Sequence, residues 1–394
     1  MQRTLASLAA ALEERSAAGR ARHRPQVEAR SRGATRLVVD GVERLAFCSN
    51  DYLGLADHPR VVEASIAATR RWGVGSGASH LVSGHTSEHH ALEQELAAYT
   101  GRPRAVLFST GYMANLAVLR ALAGRGDLVV GDRLNHASLI DAGLASGARF
   151  RRCPHGDVGS VEARLAASGA PRKVVATDGV FSMDGDVAPL AALAAACTRQ
   201  GAVLYVDDAH GFGVLGPRGR GSVEAAGLDA NAVPAYMGTL GKAVGTFGAF
   251  VAGPGVLVEA LVQTAREHVY TTAVPPAVAA ATRAALAVMQ DEPWRREHVL
   301  ALAARFRTGA AGLGLALAPS ATPIQPVILG REDAALTASA ALLEAGIFVP
   351  AIRPPTVPAG ASRLRITFSA AHDEADVDRL LEALSRLAAA GPDA

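Results

Sequence analysis

The chain reads as an α/β protein: a mostly parallel central sheet covered by helices, followed by a smaller α+β C-terminal domain. Three observations predict this. Short, β-branched apolar runs alternate with helical stretches through the middle of the chain, the rhythm of strands that return through helices and are covered on both faces. Polar, glycine-rich clusters fall where those runs end, at 109–112, 135–136, 178–182 and 207–211. Near residue 291 the alternation gives way to a long helical stretch.

Taken in order, residues 1–45 form an N-terminal arm of helix and short strands. Leu5, Leu8 and Leu12 keep helical spacing, and Glu13 and Glu14 argue against an arginine-rich transit peptide, so an amphipathic helix packing on the body is expected. Residues 46–290 form the large domain. Its strands are expected at 105–109 (AVLFS), 127–130 (DLVV), 173–177 (KVVAT), 202–206 (AVLYV) and 249–252 (AFVA), with helices beginning near residues 114 and 136. Residues 291–394 form the small domain. There a helix at 293–313 precedes strands near 325–329, 347–350 and 364–368 and a last helix at 375–387. Neither an internal repeat nor a low-complexity linker interrupts this plan. Sheets of this kind bind ligands beyond the carboxyl ends of their strands, where the polar clusters fall.

Composition narrows the function. The net charge is +2 and the basic residues are scattered, which leaves no nucleic-acid or membrane-surface footprint. No apolar run approaches the length of a membrane span. The three cysteines, Cys48, Cys153 and Cys197, have neither metal nor CxxC spacing and fit a reducing cytoplasm. His80, His85, His89 and His90 crowd together, but no carboxylate completes a zinc spacing, so no metal is expected there. Gly73, Gly75 and Gly77 follow no strand and miss the dinucleotide register. Asp184 reads as a turn residue.

Of the 39 basic residues, two are lysines and 37 are arginines. An arginine cannot condense with an aldehyde; a lysine amine can lose its proton and do so. Lys173 opens an apolar run, as an ordinary strand-flanking residue does. Lys242 lies in GTLGKAVG at 238–245, where small residues let other groups approach. Alone, Lys242 reads better as a solvated loop lysine in a Gly-rich turn. Asp207, ending an apolar run 35 residues earlier, changes the reading. An Asp for a pyridinium nitrogen and a Lys for an aldehyde are what pyridoxal phosphate requires. The turn through Gly111 and Tyr112, opening a helix, offers backbone N–H groups and a helix dipole to a phosphate. His136, at another strand-to-helix junction, is placed to lie flat on the ring.

The motifs that carry this set are SNDYLGL at 49–55, GSGAS at 75–79 with LVSG at 81–84, NHAS at 135–138 and DGVFSMDG at 178–185. They continue through VDDAHG at 206–211, GTLGK at 238–242 and AIRPPTVP at 351–358. In this order the chain resembles the α-oxoamine synthases, pyridoxal-phosphate enzymes of the fold-type I transferase class. GSGAS…LVSG and AIRPPTVP resemble most the branch that joins L-alanine to a pimeloyl thioester in biotin synthesis. Relatives that use glycine or serine with another acyl-CoA are the alternative.

The resemblance implies a role for each matching residue. Lys242 would bind the cofactor covalently and move the substrate proton, Asp207 would hold the pyridine nitrogen protonated, and His136 would stack on the ring. Ser182 and His210 would bond the phenolic oxygen, and Gly111, Tyr112 and Thr239 the phosphate. Thr271 or Thr272 would reach the phosphate of the neighbouring subunit, which implies a homodimer with shared sites. Arg353 would fork onto the substrate carboxylate, and Asn50 and Thr356 would line the acyl side. An N-terminal arginine is also implied on the substrate; the pattern around residues 20–24 is out of register, and Arg22 is the residue carried over. The thiol carrier would be coenzyme A or acyl carrier protein.

Overall fold

The computed structural model describes residues 2–17, 20–21 and 24–390. The chain opens with α1 (Gln2–Ala17), β1 (Val27–Ser31), β2 (Arg36–Val39) and β3 (Val42–Ala46), then α2 (Pro59–Trp72), a π-type turn at His80–Gly84 and α3 (Ser87–Thr100). The central region runs β4 (Arg104–Phe108), α4 (Gly111–Leu122), β5 (Leu128–Asp132), α5 (Ala137–Ala145), β6 (Arg149–Cys153), α6 (Val158–Ala166), β7 (Lys173–Asp178), α7 (Leu190–Gln200) and β8 (Val203–Asp207). After α8 (Ser222–Ala225) come β9 (Ala235–Thr239) and β10 (Ala249–Gly253), then α9 (Gly255–Thr264), α10 (Arg266–Val269) and α11 (Pro276–Asp291). The remainder is α12 (Trp294–Gly312), β11 (Ile324–Gly330), α13 (Glu332–Glu344), β12 (Ile347–Phe348), β13 (Ala351–Ile352), β14 (Ser362–Thr367) and α14 (Glu374–Ala390).

The central sheet has seven strands in the order β4-β10-β9-β8-β7-β5-β6. Neighbours from β9 through β6 pair parallel, and β10 pairs antiparallel with both β9 and β4. Six strands therefore point one way. Alternate residues of each strand enter two apolar layers. Leu107, Val130, Val175, Val206 and Phe250 face one; Val106, Val129, Val174, Tyr205 and Val251 face the other. Both layers exclude water, so strands such as VLYVD read as continuous apolar runs rather than alternating ones.

The structure departs from the sequence reading in three places. β10 continues the apolar pattern but runs backwards. Its link from β9, residues 240–248, is too short for the crossover a parallel neighbour needs, so the chain turns as a hairpin. β6, with the sequence RFRRC, lies at the sheet edge and is largely exposed; its arginines hide it from a search for apolar runs. The N-terminal helix α1 forms as its spacing predicts, but Leu5, Leu8 and Leu12 are 57%, 57% and 66% exposed instead of packed on the body. Among the described residues, none covers that stripe.

Two smaller sheets complete the fold. β11, β14 and β13 form one, all antiparallel. β1, β2, β3 and β12 form the other, in which β12 pairs parallel with β3, so the N-terminal strands share a sheet with the C-terminal region. Helix α11 packs along α2, and α12 along α14.

One buried side chain organises the loops beyond β8. Asp208 is fully buried and accepts from the Ser222 backbone N–H at 2.7 Å and the Tyr236 hydroxyl at 2.9 Å. A Cβ on Gly221, Gly211 or Gly179 would come within 1.8, 2.1 or 2.5 Å of its carboxylate. Gly221 also has φ +102°, whereas Gly227 has φ +69° with nothing within 4 Å of a Cβ. Gly221→Ala is expected to cost roughly 3 kcal/mol or more, and Gly227→Ala about 1 kcal/mol from backbone strain alone. Urea unfolding of the two variants checks this; equal losses would mean that the space around Asp208 does not matter.

Candidate active site

Five strand ends converge. β4 delivers Gly111 and Tyr112, β5 delivers His136, β7 ends at Asp178, β8 at Asp207 and β9 at Thr239, three residues before Lys242. Because these strands are co-directional, their polar C-terminal residues meet along one edge of the sheet.

At the centre, Lys242 Nζ lies 2.9 Å from His210 Nε2. Burial drives the Lys242 amine down to about 8, against the pull of the Asp207 and Asp178 carboxylates, while the Arg365 charge adds to the lowering. His210 is pushed well below the usual histidine range by burial and then by the charge of Lys242. Its Nδ1 lies 2.6 Å from the Tyr52 hydroxyl. Burial lifts Tyr52 to about 12, so the phenol keeps its proton, and it donates to Asn50 Oδ1 at 3.2 Å. A neutral His210 with its proton on Nδ1 satisfies both contacts, leaving Nε2 to accept from the lysine.

Asp207 and Asp178 are register partners on adjacent strands. Asp207 accepts from the Ala209 N–H at 3.0 Å and from Asn115 Nδ2 at 2.7 Å. Asp178 accepts from the His136 N–H at 2.7 Å, and burial, then the neighbouring Asp207 charge, raises it well above the carboxylate range. His136 caps α5, with Ser138 Oγ 2.7 Å from its Nδ1. Burial lowers its pKa, with Asp207 opposing.

At the start of α4 the Thr110 side chain accepts from the Met113 N–H at 3.2 Å. Helix geometry leaves the N–H groups of Gly111 and Tyr112 pointing beyond the helix end, a ready seat for an anion. The exposed Tyr112 hydroxyl donates to Asp141. Thr239 Oγ1 donates to the Gly248 carbonyl at 3.0 Å.

The sequence-predicted residues thus divide. Lys242, Asp207, His136, His210, Gly111, Tyr112, Ser182 and Thr239 gather at the strand ends. Asn50 joins them through its contact with Tyr52. Thr271 and Thr272 lie between α10 and α11, and Thr272 bridges to Ser79. Arg353, half-buried, and Thr356, exposed, follow β13, with the Thr356 N–H bonded to the Arg353 carbonyl at 3.1 Å. Arg22 lies outside the described residues.

Four residues escaped the sequence reading as site residues. Tyr52 and Asp178 lie inside the motifs at 49–55 and 178–185. Asn115 is a polar residue on the buried face of α4, a signal that was available. Arg365 sits in the six-residue strand SRLRIT, all of it buried. Its Nε donates to the Ser182 carbonyl at 2.6 Å, and both terminal nitrogens lie 3.3 Å from Asn50 Oδ1.

The donor set suits pyridoxal phosphate. It offers an amine of lowered pKa, a fixed strand-end carboxylate, a flat imidazole and an open helix N-terminus with no Cβ on its first residue. Among the described residues no helix is long and apolar enough to cross a membrane, and no group of three His, Cys, Asp or Glu could hold a metal ion.

Comparison with known proteins agrees. The family Aminotransferase class I and II matches residues 42–384. The 8-amino-7-oxononanoate synthase of Cellvibrio japonicus is 60% identical over 381 residues, 97% of this chain and 95% of the relative. A serine palmitoyltransferase variant from S. paucimobilis, solved with a bound PLP–myriocin aldimine, superposes with a TM-score of 0.92 at 31% identity, covering 98% of this chain and 97% of its own. The 8-amino-7-oxononanoate synthase of Francisella tularensis superposes with a TM-score of 0.77 at 29% identity, covering 88% and 98%. The chain belongs to the aminotransferase class I and II family, within its α-oxoamine synthase branch alongside the 8-amino-7-oxononanoate synthases, and is a fold-type I, pyridoxal-phosphate-dependent acyltransferase.

Proposed function

We propose that this enzyme joins L-alanine to a pimeloyl thioester, releasing carbon dioxide and the thiol carrier and forming 8-amino-7-oxononanoate for biotin synthesis. The observation that carries the reading is 60% identity across 97% of the chain to a protein of that name. The carrier is coenzyme A or acyl carrier protein; both present the same thioester carbonyl.

When bound, pyridoxal phosphate supplies a protonated pyridine ring that accepts the electron pair left when alanine loses its α-proton. The chain's residues arrange that event. Lys242 holds the coenzyme, then takes the α-proton and later returns one to the product carbon. Asp207, gripped by two donors, would keep the ring nitrogen protonated. His136 would cover the ring face, and His210 and Ser182 would bond the phenolic oxygen. Gly111, Tyr112 and Thr239 would hold the phosphate. Asn50 and Thr356 line the acyl side.

Thr271 or Thr272 serves the partner's phosphate in a homodimer. Supporting that assembly, Val74, Leu81, Val82 and Tyr270 are 83%, 52%, 79% and 73% exposed, and the leucine stripe of α1 lies open. The free thiols of Cys48, Cys153 and Cys197 support a cytoplasmic setting.

A specific observation favours a second arginine for the alanine carboxylate. The sequence points to Arg353. Arg365, however, is close enough to depress both Lys242 and His210, and its two terminal nitrogens share one amide oxygen at 3.3 Å. A carboxylate would take that fork with shorter, charge-assisted bonds.

Four measurements test these readings. Thiol release from pimeloyl-CoA and pimeloyl acyl carrier protein, with alanine, glycine or serine, should be fastest with alanine and yield the amino ketone. Faster turnover with glycine or serine would point to the alternative branch.

An amine attacks an aldehyde only when neutral, so capture of pyridoxal phosphate by the apo-chain should rise about tenfold per pH unit up to about 8 and then level off. Capture that keeps climbing to pH 10 would contradict the lowered amine. Borohydride should fix the coenzyme to Lys242, and Lys242→Arg should capture none covalently.

Arg365→Lys should raise the KM for alanine roughly ten- to a hundredfold, and Arg353→Lys should raise it less. The reverse order returns the carboxylate to Arg353.

A further inference from the structure

Asp207 does not stand alone at the end of β8. Behind it lies a buried group of hydrogen-bonding side chains that bears no charge and touches no solvent: Asn115, Ser138 and Tyr205 are 0%, 1% and 0% exposed. A polar side chain on the buried face of an otherwise apolar helix is costly unless each of its groups is used. Asn115 uses all of its groups. The Tyr205 hydroxyl donates to its Oδ1. One Nδ2 proton goes to Asp207 Oδ2 and the other to Ser138 Oγ, both at 2.7 Å.

The chemistry of the neighbours fixes the direction of every bond. Tyr205 lies well above the ordinary phenol range, through burial first and then the nearby carboxylates, so it keeps its proton and donates. Asp207 as a carboxylate only accepts, so the amide must turn its NH2 inwards. Ser138, having accepted from that NH2, has its own proton to give, and His136 Nδ1 lies 2.7 Å from its oxygen. The Ser138 N–H points at the same nitrogen at 3.3 Å. His136 Nδ1 therefore carries a lone pair, and the proton of the neutral ring sits on Nε2.

We propose that Asn115 is a positioning residue for the coenzyme: locked by Tyr205, it aims the Asp207 carboxylate and, through Ser138, sets the tautomer of His136. One amide thereby couples the group beneath the pyridine nitrogen to the group on the ring face. The inference rests on the assignment of Asp207 and His136 to the coenzyme. It concerns how they are held, which neither the motifs nor the comparisons address.

The test is a double-mutant cycle read on coenzyme affinity. Dissociation constants for pyridoxal phosphate are measured by fluorescence quenching on wild type, Asn115→Ala, Asp207→Asn and the double variant, with urea unfolding of each apo-chain. If Asn115 acts through Asp207, Asn115→Ala weakens the coenzyme roughly tenfold or more in the wild-type background and little further in Asp207→Asn. Equal weakening in both backgrounds overturns the inference, because a merely structural residue would add its effect whatever residue 207 is. If Asp207→Asn alone leaves affinity unchanged, the assignment of Asp207 itself fails, which is a distinct outcome.

Should Asn115→Ala not fold, Tyr205→Phe serves in its place. It leaves Asn115 intact but frees the amide to turn, and should weaken the coenzyme several-fold in the wild-type background alone. As a second readout, ¹⁵N spectra of the His136 ring, identified by its loss in His136→Gln, should show Nε2–H in wild type. Ser138→Ala should shift that signal towards a tautomer mixture; an unchanged signal would remove the His136 arm of the proposal.

Discussion

Two carboxylates side by side at the ends of adjacent strands set the terms for the rest of this site. Asp178 and Asp207 are paired by the β7–β8 register, both buried, and burial together with the neighbouring Asp207 charge makes Asp178 harder to charge. Such a pair persists only if donors surround it. The structure supplies the His136 and Ala209 N–H groups, the Asn115 amide and, nearby, the Lys242 amine. Asp178 yields towards the neutral form, and Asp207 takes the two fixed donors. Asp207 is the member of the pair proposed to act on the coenzyme, while Asp178 binds the loop that carries His136.

The lysine must be delivered to that pair by a chain segment that can come close without a helix behind it. The β9–β10 hairpin does this. Gly245, at φ +74°, packs so tightly that a Cβ would lie 2.5 Å from the Ala56 nitrogen, which presses the lysine loop against the 50–56 turn. That turn closes on itself through Asp51, whose carboxylate accepts from the Leu55 and Ala56 N–H groups at 2.9 and 3.0 Å. Burial lifts Asp51 to about 6 even so. The result is that Tyr52 reaches His210 and His210 reaches Lys242. Two motifs almost 200 residues apart in sequence are one unit in space, joined where a glycine leaves room.

What was legible in the sequence follows from this geometry. Strands covered on both faces announce themselves as apolar runs, and polar residues must cluster where those runs end, so Lys242, Asp207 and His136 could be read from position and chemistry. The missed features lacked such a signal. β6 carries three arginines on an exposed edge, and the reversal of β10 depends on the length of a loop rather than on any residue within the strand. Arg365 hides in a fully buried strand of the small antiparallel sheet; only the fold shows that it points its guanidinium at Ser182 and Asn50. Asn115 was visible as a lone polar residue on an apolar face, but its partners come from β8 and α5, and no local pattern names them.

The scarcity of lysine gains its meaning from the same surroundings. A guanidinium at position 242 would stay charged whatever its environment, so the opposing forces there would have nothing to tune. An amine responds. Burial and the Arg365 charge push it towards neutrality, the two carboxylates pull it back, and the balance falls near 8 rather than at either extreme. A group meant both to take a proton and to give one back works best with its pKa near the working pH. Lys173, at the start of β7, lies at the opposite end of that strand from Asp178, away from the carboxylates that set this balance. On the role proposed for Lys242, the chain can use arginine almost everywhere else for charge and ion pairing, and keep lysine where proton exchange, not charge, is required.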